Sequence, residues 1–212
     1  MEPITLVIAG VASISLVGYV LIKKRNIHTI EDIEHSNEKE GSSVNSLLTS
    51  DKISFALTKT ICPPIHKLSD IIDNSERNLD IAMYTFTDHE ILTRIIQATK
   101  RGVKVRLITD KKQTSSAKGQ LPILQELSAA GVPIKINKHN GYMHLKVLIT
   151  DHKKVVTGSY NYTGAAKKNH DEVIVILEDS EIANRWTEQF NKMWNDNANF
   201  RPINYESLSH VS

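Results

Sequence analysis

At residues 4–22 the 212-residue chain carries 19 residues without a charge (ITLVIAGVASISLVGYVLI). That is close to the length a helix needs to cross the hydrocarbon of a bilayer. Nothing in the run forms a polar face, so it does not read as the inner stripe of an amphipathic helix. Lys23, Lys24 and Arg25 follow at once, whereas Met1, Glu2 and Pro3 stand ahead of it. A cleavable secretion signal places its positive charges before the apolar run; here they come behind it. The pattern predicts a single-pass anchor with basic flank over 1–25 and the remainder of the chain on the cytoplasmic side. A bacterial inner membrane and a mitochondrial outer membrane both suit it. Residues 26–50 turn polar and acidic, with Glu31, Asp32, Glu34, Glu38 and Glu40 before Gly41-Ser42-Ser43. They predict a tether.

From residue 51 the periodicity changes. Pro63 and Pro64 open a helix that reaches Ile72. Residues 79–86 (LDIAMYTF) read as a strand. Thr87 caps a helix, with Glu90 completing a capping box. Ile91, Leu92, Ile95, Ile96 and Ala98 give helical spacing up to Gly102. A strand over 103–108, a helix over 121–130 stopped by Gly131, and a strand over 133–136 follow. Residues 145–150 and 154–157 read as two strands joined by a tight turn at Asp151-His152-Lys153. Residues 173–177 (VIVIL) predict a fully buried strand, and 182–194 a final amphipathic helix. This order predicts an α/β domain over 51–198: a mixed, partly parallel sheet flanked by helices. Residues 199–212 are expected to form a C-terminal tail.

Net charge, at +2, excludes little, but its distribution is uneven. Between Lys100 and Lys168 there are 14 Lys and Arg against 3 acids, and from Asn169 onward 3 basic residues against 8 acidic. The middle of the chain is thus a candidate surface for a polyanion. The single cysteine, Cys62, excludes a disulfide framework within the chain and a cysteine-rich zinc site. Cys62 and His66 could be two ligands of one ion, but Cys62 reads as a buried or idle thiol.

The chemistry concentrates between Gly141 and Glu172. His144 and Lys146 are two apart in a strand, so their side chains share a face. An imidazole and an ammonium then lie within reach of one phosphate. Ser159 and Asn161 share a face beyond Gly158. Lys, Ser and Asn are donors that suit the non-bridging oxygens of a phosphodiester. An imidazole can attack phosphorus and split one hard step into two easier ones. It needs a carboxylate to hold its other nitrogen, and Glu172 is placed to supply one.

The spacing His144-x-Lys146-x4-Asp151, followed by Gly158-Ser159-x-Asn161, resembles the phospholipase D superfamily, whose signature HxKxxxxD…GSxN is matched at all six positions. The resemblance covers 51–195. It is closest to the small single-motif members, the bacterial endonucleases and the mitochondrial Zucchini-type proteins. It implies a phospholipase D-like half that dimerises. In that family His144 would be the nucleophile, Lys146 and Asn161 phosphate clamps, and Ser159 an orienting group. Glu172 matches the carboxylate behind the motif, and Asp151 would be structural, tied to basic or backbone groups. Catalysis in the family uses two histidines, and this chain has one motif. The resemblance therefore implies a homodimer with the active site on its two-fold axis, and no metal or cofactor. Gly141-Tyr142-Met143-His144 matches the Zucchini-type run, but of their zinc site only Cys62 and His66 have counterparts, which leans toward the bacterial type.

Around this motif, Lys111, Lys112 and Lys118 are expected in a loop after a strand end, where a substrate lip is common. Lys167 and Lys168 are either backbone-phosphate contacts or a solvated pair. Tyr160 and Tyr162 either stack on bases or pack in the sheet. The basic middle segment favours an endonuclease acting on single-stranded nucleic acid. The anchor favours a phospholipase acting on an anionic lipid such as cardiolipin. A silent membrane scaffold or nucleic-acid-binding module is the third reading, and the intact motif argues against it.

Overall fold

The computed structural model describes residues 52–117 and 119–206. The anchor expected at 1–25, the tether at 26–50 and Lys118 lie outside them. Among the described residues no helix is long and apolar enough to cross a membrane.

Eight strands form one mixed sheet: β1 (Ile53–Leu57), β2 (Asn78–Met83), β3 (Lys104–Thr109), β4 (Ile134–Asn137), β5 (Lys146–Thr150), β6 (Lys154–Gly158), β7 (Val173–Leu177) and β8 (Phe200–Pro202). Their order is β1-β7-β6-β5-β2-β3-β4-β8. Only β2, β3 and β4 run parallel to one another, and every other pairing is antiparallel. The helices are α1 (Pro64–Asp73), α2 (His89–Lys100), α3 (Lys111–Ser116), α4 (Gln120–Ala129), α5 (Gly164–Lys168) and α6 (Ser180–Asn195). This is the mixed, partly parallel sheet flanked by helices that the periodicity predicts.

Strand alternation divides the core in two. Leu79, Ile81, Met83, Leu107, Leu148 and Ile176 face Leu68 and Ile72 of α1, Ile91 and Ile95 of α2, and Leu124 of α4. On the opposite side Ala82, Ile108, Val147 and Val155 face Ala183 and Phe190 of α6. Asp80 and Arg106 belong to that second face. Arg106 donates from Nε and Nη2 to the two Asp80 carboxylate oxygens, at 2.7 Å each, and also from Nη2 to Asn191 Oδ1 at 2.9 Å. Its guanidinium lies 4.9 Å from the Phe190 ring centroid and 5.3 Å from that of Trp194. The bidentate pair and the two ring contacts fix how α6 sits on the sheet.

Four expectations are corrected. The N-cap of α2 is Asp88 rather than Thr87: Asp88 Oδ1 accepts from Glu90 N at 2.8 Å and Ile91 N at 3.1 Å. The backbone N–H groups of Thr87 and Asp88 both donate to Tyr162 O, at 2.7 and 3.0 Å, so Glu90 does not close a capping box on Thr87. The strand β7 is not fully buried. Ile174 and Ile176 are buried while Val173, Val175 and Leu177 are half-buried, because α6 covers only part of the second face. Lys111 and Lys112 open the helix α3 instead of lying in a loop, since Asp110 Oδ1 caps it through Gln113 N at 2.9 Å. Finally, the segment expected as a tail supplies β8, paired with β4.

The hairpin β5–β6 turns at Asp151 and His152, both with positive φ (54° and 55°). Lys153 N donates to Thr150 O at 2.9 Å and closes a tight turn whose two central residues are both left-handed. At the other end of β6, Gly158 has φ +154°, and a Cβ there would meet Val173 O at 2.1 Å. We expect Gly158→Ala to lower stability by about 3 kcal/mol, an overpacking cost with backbone strain added. Gly164→Ala, where an added Cβ meets nothing within 4 Å, should change it by less than about 0.5 kcal/mol. Urea denaturation of both variants checks the contrast.

Candidate active site

The antiparallel register Met83↔Lys146 brings the start of β5 beside the carboxyl end of β2. Gly158 ends β6 at the same edge, with Val173 of β7 against it. The parallel strands β2 and β3 end there too. That edge, outside the carboxyl ends of parallel strands, is where open α/β sheets place their sites.

His144 precedes β5 and Lys146 begins it. Lys146 Nζ lies 3.1 Å from His144 Nε2, 3.2 Å from Nδ1 and 3.0 Å from the His144 carbonyl oxygen. Burial lowers the Lys146 pKa below the ordinary lysine value, and the Glu172 carboxylate works against that shift. Ser159 Oγ accepts from Val173 N at 3.2 Å, so its own proton remains free to donate. Asn161 Oδ1 is buried without a hydrogen-bond partner among the described residues.

Glu172 is mostly buried, and its ion-pair partner is His170 (Nδ1 to Oε1, 3.6 Å) rather than His144. Its backbone is held by Thr58, whose Oγ1 accepts from Glu172 N at 2.9 Å. Glu172 thus stands at the site as a negative charge near Lys146, without a hydrogen bond to the imidazole.

Asp151 lies at the opposite edge of the sheet. Its carboxylate accepts from Glu76 N (3.0 Å), Arg77 N (2.7 Å) and Asn78 N (3.0 Å). Burial pushes its pKa up, but the three backbone N–H groups outweigh burial and hold it below the ordinary carboxylate value. Five residues of strand separate it from Lys146, roughly 16 Å.

The outlying lysines separate into different environments. Lys112 is exposed and its Nζ lies 4.6 Å from the Tyr142 ring centroid, two residues before His144. Lys111 is half-buried, and its backbone N–H donates to Asn137 Oδ1 at 2.7 Å. Lys167 is ion-paired to Glu90, which draws the Glu90 pKa down; Lys168 is exposed. Tyr160 and Tyr162 are core residues, 1% and 2% exposed. Tyr162 packs edge-on against Phe86, so neither tyrosine offers a stacking face.

Sequence reasoning missed the residues that hold the loop before His144. Asp110, at the end of β3, is fully buried. Its Oδ2 accepts from Met143 N at 2.9 Å while Oδ1 caps α3. Asn137, at the end of β4, donates from Nδ2 to Gly141 O at 2.9 Å. The available signal was a lone acid and a lone amide at the carboxyl ends of two parallel strands. Among the described residues no three His, Cys, Asp or Glu side chains form a group that could hold a metal ion.

The family described as cardiolipin synthase, PLD-like domain, matches residues 68–194, and the chain belongs to that family. A phospholipase D of Rickettsia conorii is 38% identical over 123 residues, 58% of this chain and 60% of the relative. The chain thus spans about 60% of the length of that relative. A mitochondrial cardiolipin hydrolase of Xenopus tropicalis is 26% identical over 162 residues, 74% of each chain. Among solved structures, Nuc of Salmonella typhimurium, a phospholipase D family member, superposes with a TM-score of 0.64 at 24% identity over 71% of this chain and 98% of its own. That likeness concerns the fold.

We expect Asp151→Asn to cost about 2 kcal/mol, the scale of hydrogen bonds to a charged acceptor. Any activity per folded molecule should stay within about twofold of wild type, given the distance from Lys146. A carboxylate with a depressed folded pKa contributes stability above its unfolded value, about 3.9. The difference between wild type and variant should therefore hold at neutral pH and disappear as pH falls through the depressed folded value. Urea denaturation across pH measures it.

Proposed function

We propose that this protein is a phosphodiesterase that works through a phosphohistidine on His144, with single-stranded nucleic acid as its substrate. One observation carries the reading. The His144 imidazole and the Lys146 ammonium touch, at the same sheet edge as Ser159 and Asn161. In the first step an imidazole nitrogen attacks phosphorus, and the P–O bond to the leaving group breaks. Lys146, Asn161 and Ser159 donate to the phosphoryl oxygens as charge builds on them. The leaving oxygen takes a proton from a second imidazole. In the second step that imidazole takes a proton from water, the water oxygen attacks phosphorus, and the P–N bond breaks. The chain carries one such motif, so the second imidazole is His144 of a second copy, in a homodimer with one shared active site on the two-fold axis. Neither step needs a metal, because two lysines neutralise the phosphate. Exposed Lys112 beside Tyr142, with Lys111 and Lys168 near the same edge, supports a nucleic-acid backbone as the ligand.

A second reading, hydrolysis of an anionic phospholipid beside a membrane, is supported by a different observation. Leu57, Thr58, Thr60, Ser159, Glu172 and Val173 line a cleft of about 290 Å³. Phe55, 66% exposed, and Ile61, fully exposed, lie within two residues of that lining along the chain. The names of the Rickettsia and Xenopus relatives agree with it, as does the apolar run at 4–22.

The full chain in detergent micelles, with EDTA present, is incubated with single-stranded DNA, single-stranded RNA and cardiolipin vesicles. Wild type should cleave nucleic acid, and His144→Asn should lose about 10⁴-fold or more. Quenching of labelled reactions in alkaline detergent should trap an alkali-stable, acid-labile label on wild type alone. Turnover of lipid alone selects the second reading. A folded protein that turns over none of the three overturns both.

A further inference from the structure

Tyr84 follows the last residue of β2 and takes no part in the sequence motif. Its backbone N–H donates to Leu145 O at 2.9 Å, which ties it to the residue between His144 and Lys146. Its ring lies 4.4 Å from the His144 imidazole, centroid to centroid, tilted at 60°. The Lys146 ammonium lies 4.9 Å from the centre of the same ring. One aromatic surface therefore touches both groups on which the chemistry depends.

The ring is itself held. Its hydroxyl accepts from Gln113 Nε2 at 2.9 Å. Gln113 Oε1 accepts from Thr85 Oγ1 at 3.0 Å. The Gln113 backbone N–H donates to buried Asp110, the residue that also anchors Met143. Burial, with the Asp110 carboxylate adding to it, raises the Tyr84 pKa and keeps the hydroxyl protonated. On the outer side Tyr142 stands edge-on to Tyr84, at 5.9 Å and 87°.

We propose that Tyr84, braced by Gln113, is a positioning residue that holds His144 and Lys146 in one mutual geometry. The consequence for catalysis rests on the phosphodiesterase reading; the contact itself does not. His144 precedes the β5 ladder, so hydrogen-bonded strand pairing does not fix its side chain. Lys146 is a long side chain with many rotamers to lose. A rigid ring offers the imidazole a packing face and the ammonium a cation–π contact. Both are restrained without a charged partner that would compete with phosphate for the lysine. Small misplacements of reacting groups cost large factors in rate.

The full chain in detergent micelles is compared as wild type, Tyr84→Phe, Tyr84→Leu and Gln113→Ala. Two readouts are taken: steady-state cleavage of a single-stranded oligonucleotide, and NMR of labelled histidines. The His144 signal is assigned by its loss in His144→Asn. Tyr84→Leu should lower kcat about 30-fold or more with KM within about 3-fold. Tyr84→Phe, which keeps the ring, should stay within about 3-fold of wild type in kcat. Gln113→Ala, which frees the ring without removing it, should fall between the two. The ring-current displacement of the His144 ring protons should persist in Tyr84→Phe and vanish in Tyr84→Leu. Wild-type kcat in Tyr84→Leu, equal losses in Phe and Leu, or an unmoved His144 signal in Tyr84→Leu would each overturn the proposal. Wild type that turns over no substrate refutes the phosphodiesterase reading instead, and the NMR comparison then decides the contact alone. Should Tyr84→Leu not fold, the Gln113→Ala and Tyr84→Phe spectra decide it.

Discussion

The register of β5 against β2 is the constraint on which the site depends. Met83 opposite Lys146 sets which residues reach the sheet edge, and Leu79 opposite Thr150 sets where the strand ends. A slip by one residue would turn every side chain of β5 to the other face. Val147 and Ile149 would then compete for the positions of Lys146 and Leu148, and His144 would lose its place beside Tyr84. The far end of the strand is pinned by Asp151, which satisfies three consecutive backbone N–H groups at the start of β2. The motif's acid and its basic pair thus stand at opposite ends of one strand: the acid holds its far end in register, and the basic pair lies at the proposed site.

The sheet edge combines rigid supports with a group whose charge is under tension. Buried Asp110 and Asn137 hold the loop that delivers His144, each by serving two structural partners. Gly158 allows β6 to approach β7 so closely that Ser159 exchanges hydrogen bonds with Val173 from both backbone and side chain. Lys146, by contrast, carries a charge that burial disfavours and the Glu172 carboxylate favours. An anion bound beside Lys146 would favour the charged ammonium that burial disfavours.

Much of the fold was legible in residue order. The parallel unit from β2 to β4, the β5–β6 hairpin and the helices α1, α2, α4 and α6 all follow from periodicity, because each buries a stripe or face against a single sheet. Three of the four misreadings share a cause. Thr87 was a reasonable cap until the backbone of Tyr162 claimed its N–H, and β7 looked fully buried because every residue in it is apolar. The strand β8 is three residues long and carries a proline, so it gives no alternating signal. Each outcome was decided by a neighbour distant in sequence.

The motif residues His144, Lys146, Asp151, Gly158, Ser159 and Asn161 could be picked out from spacing alone, because all six positions match one signature. The family followed from the same spacing. Only the tertiary structure decided what surrounds them. It paired Glu172 with His170, turned Tyr160 and Tyr162 into core, committed Lys167 to Glu90, and brought Tyr84, Asp110, Gln113 and Asn137 to the site. Those four come from the carboxyl ends of three strands and the first turn of a helix. Sequence spacing records what one segment places on its own face, whereas support for a side chain comes from whichever segments the sheet order sets beside it.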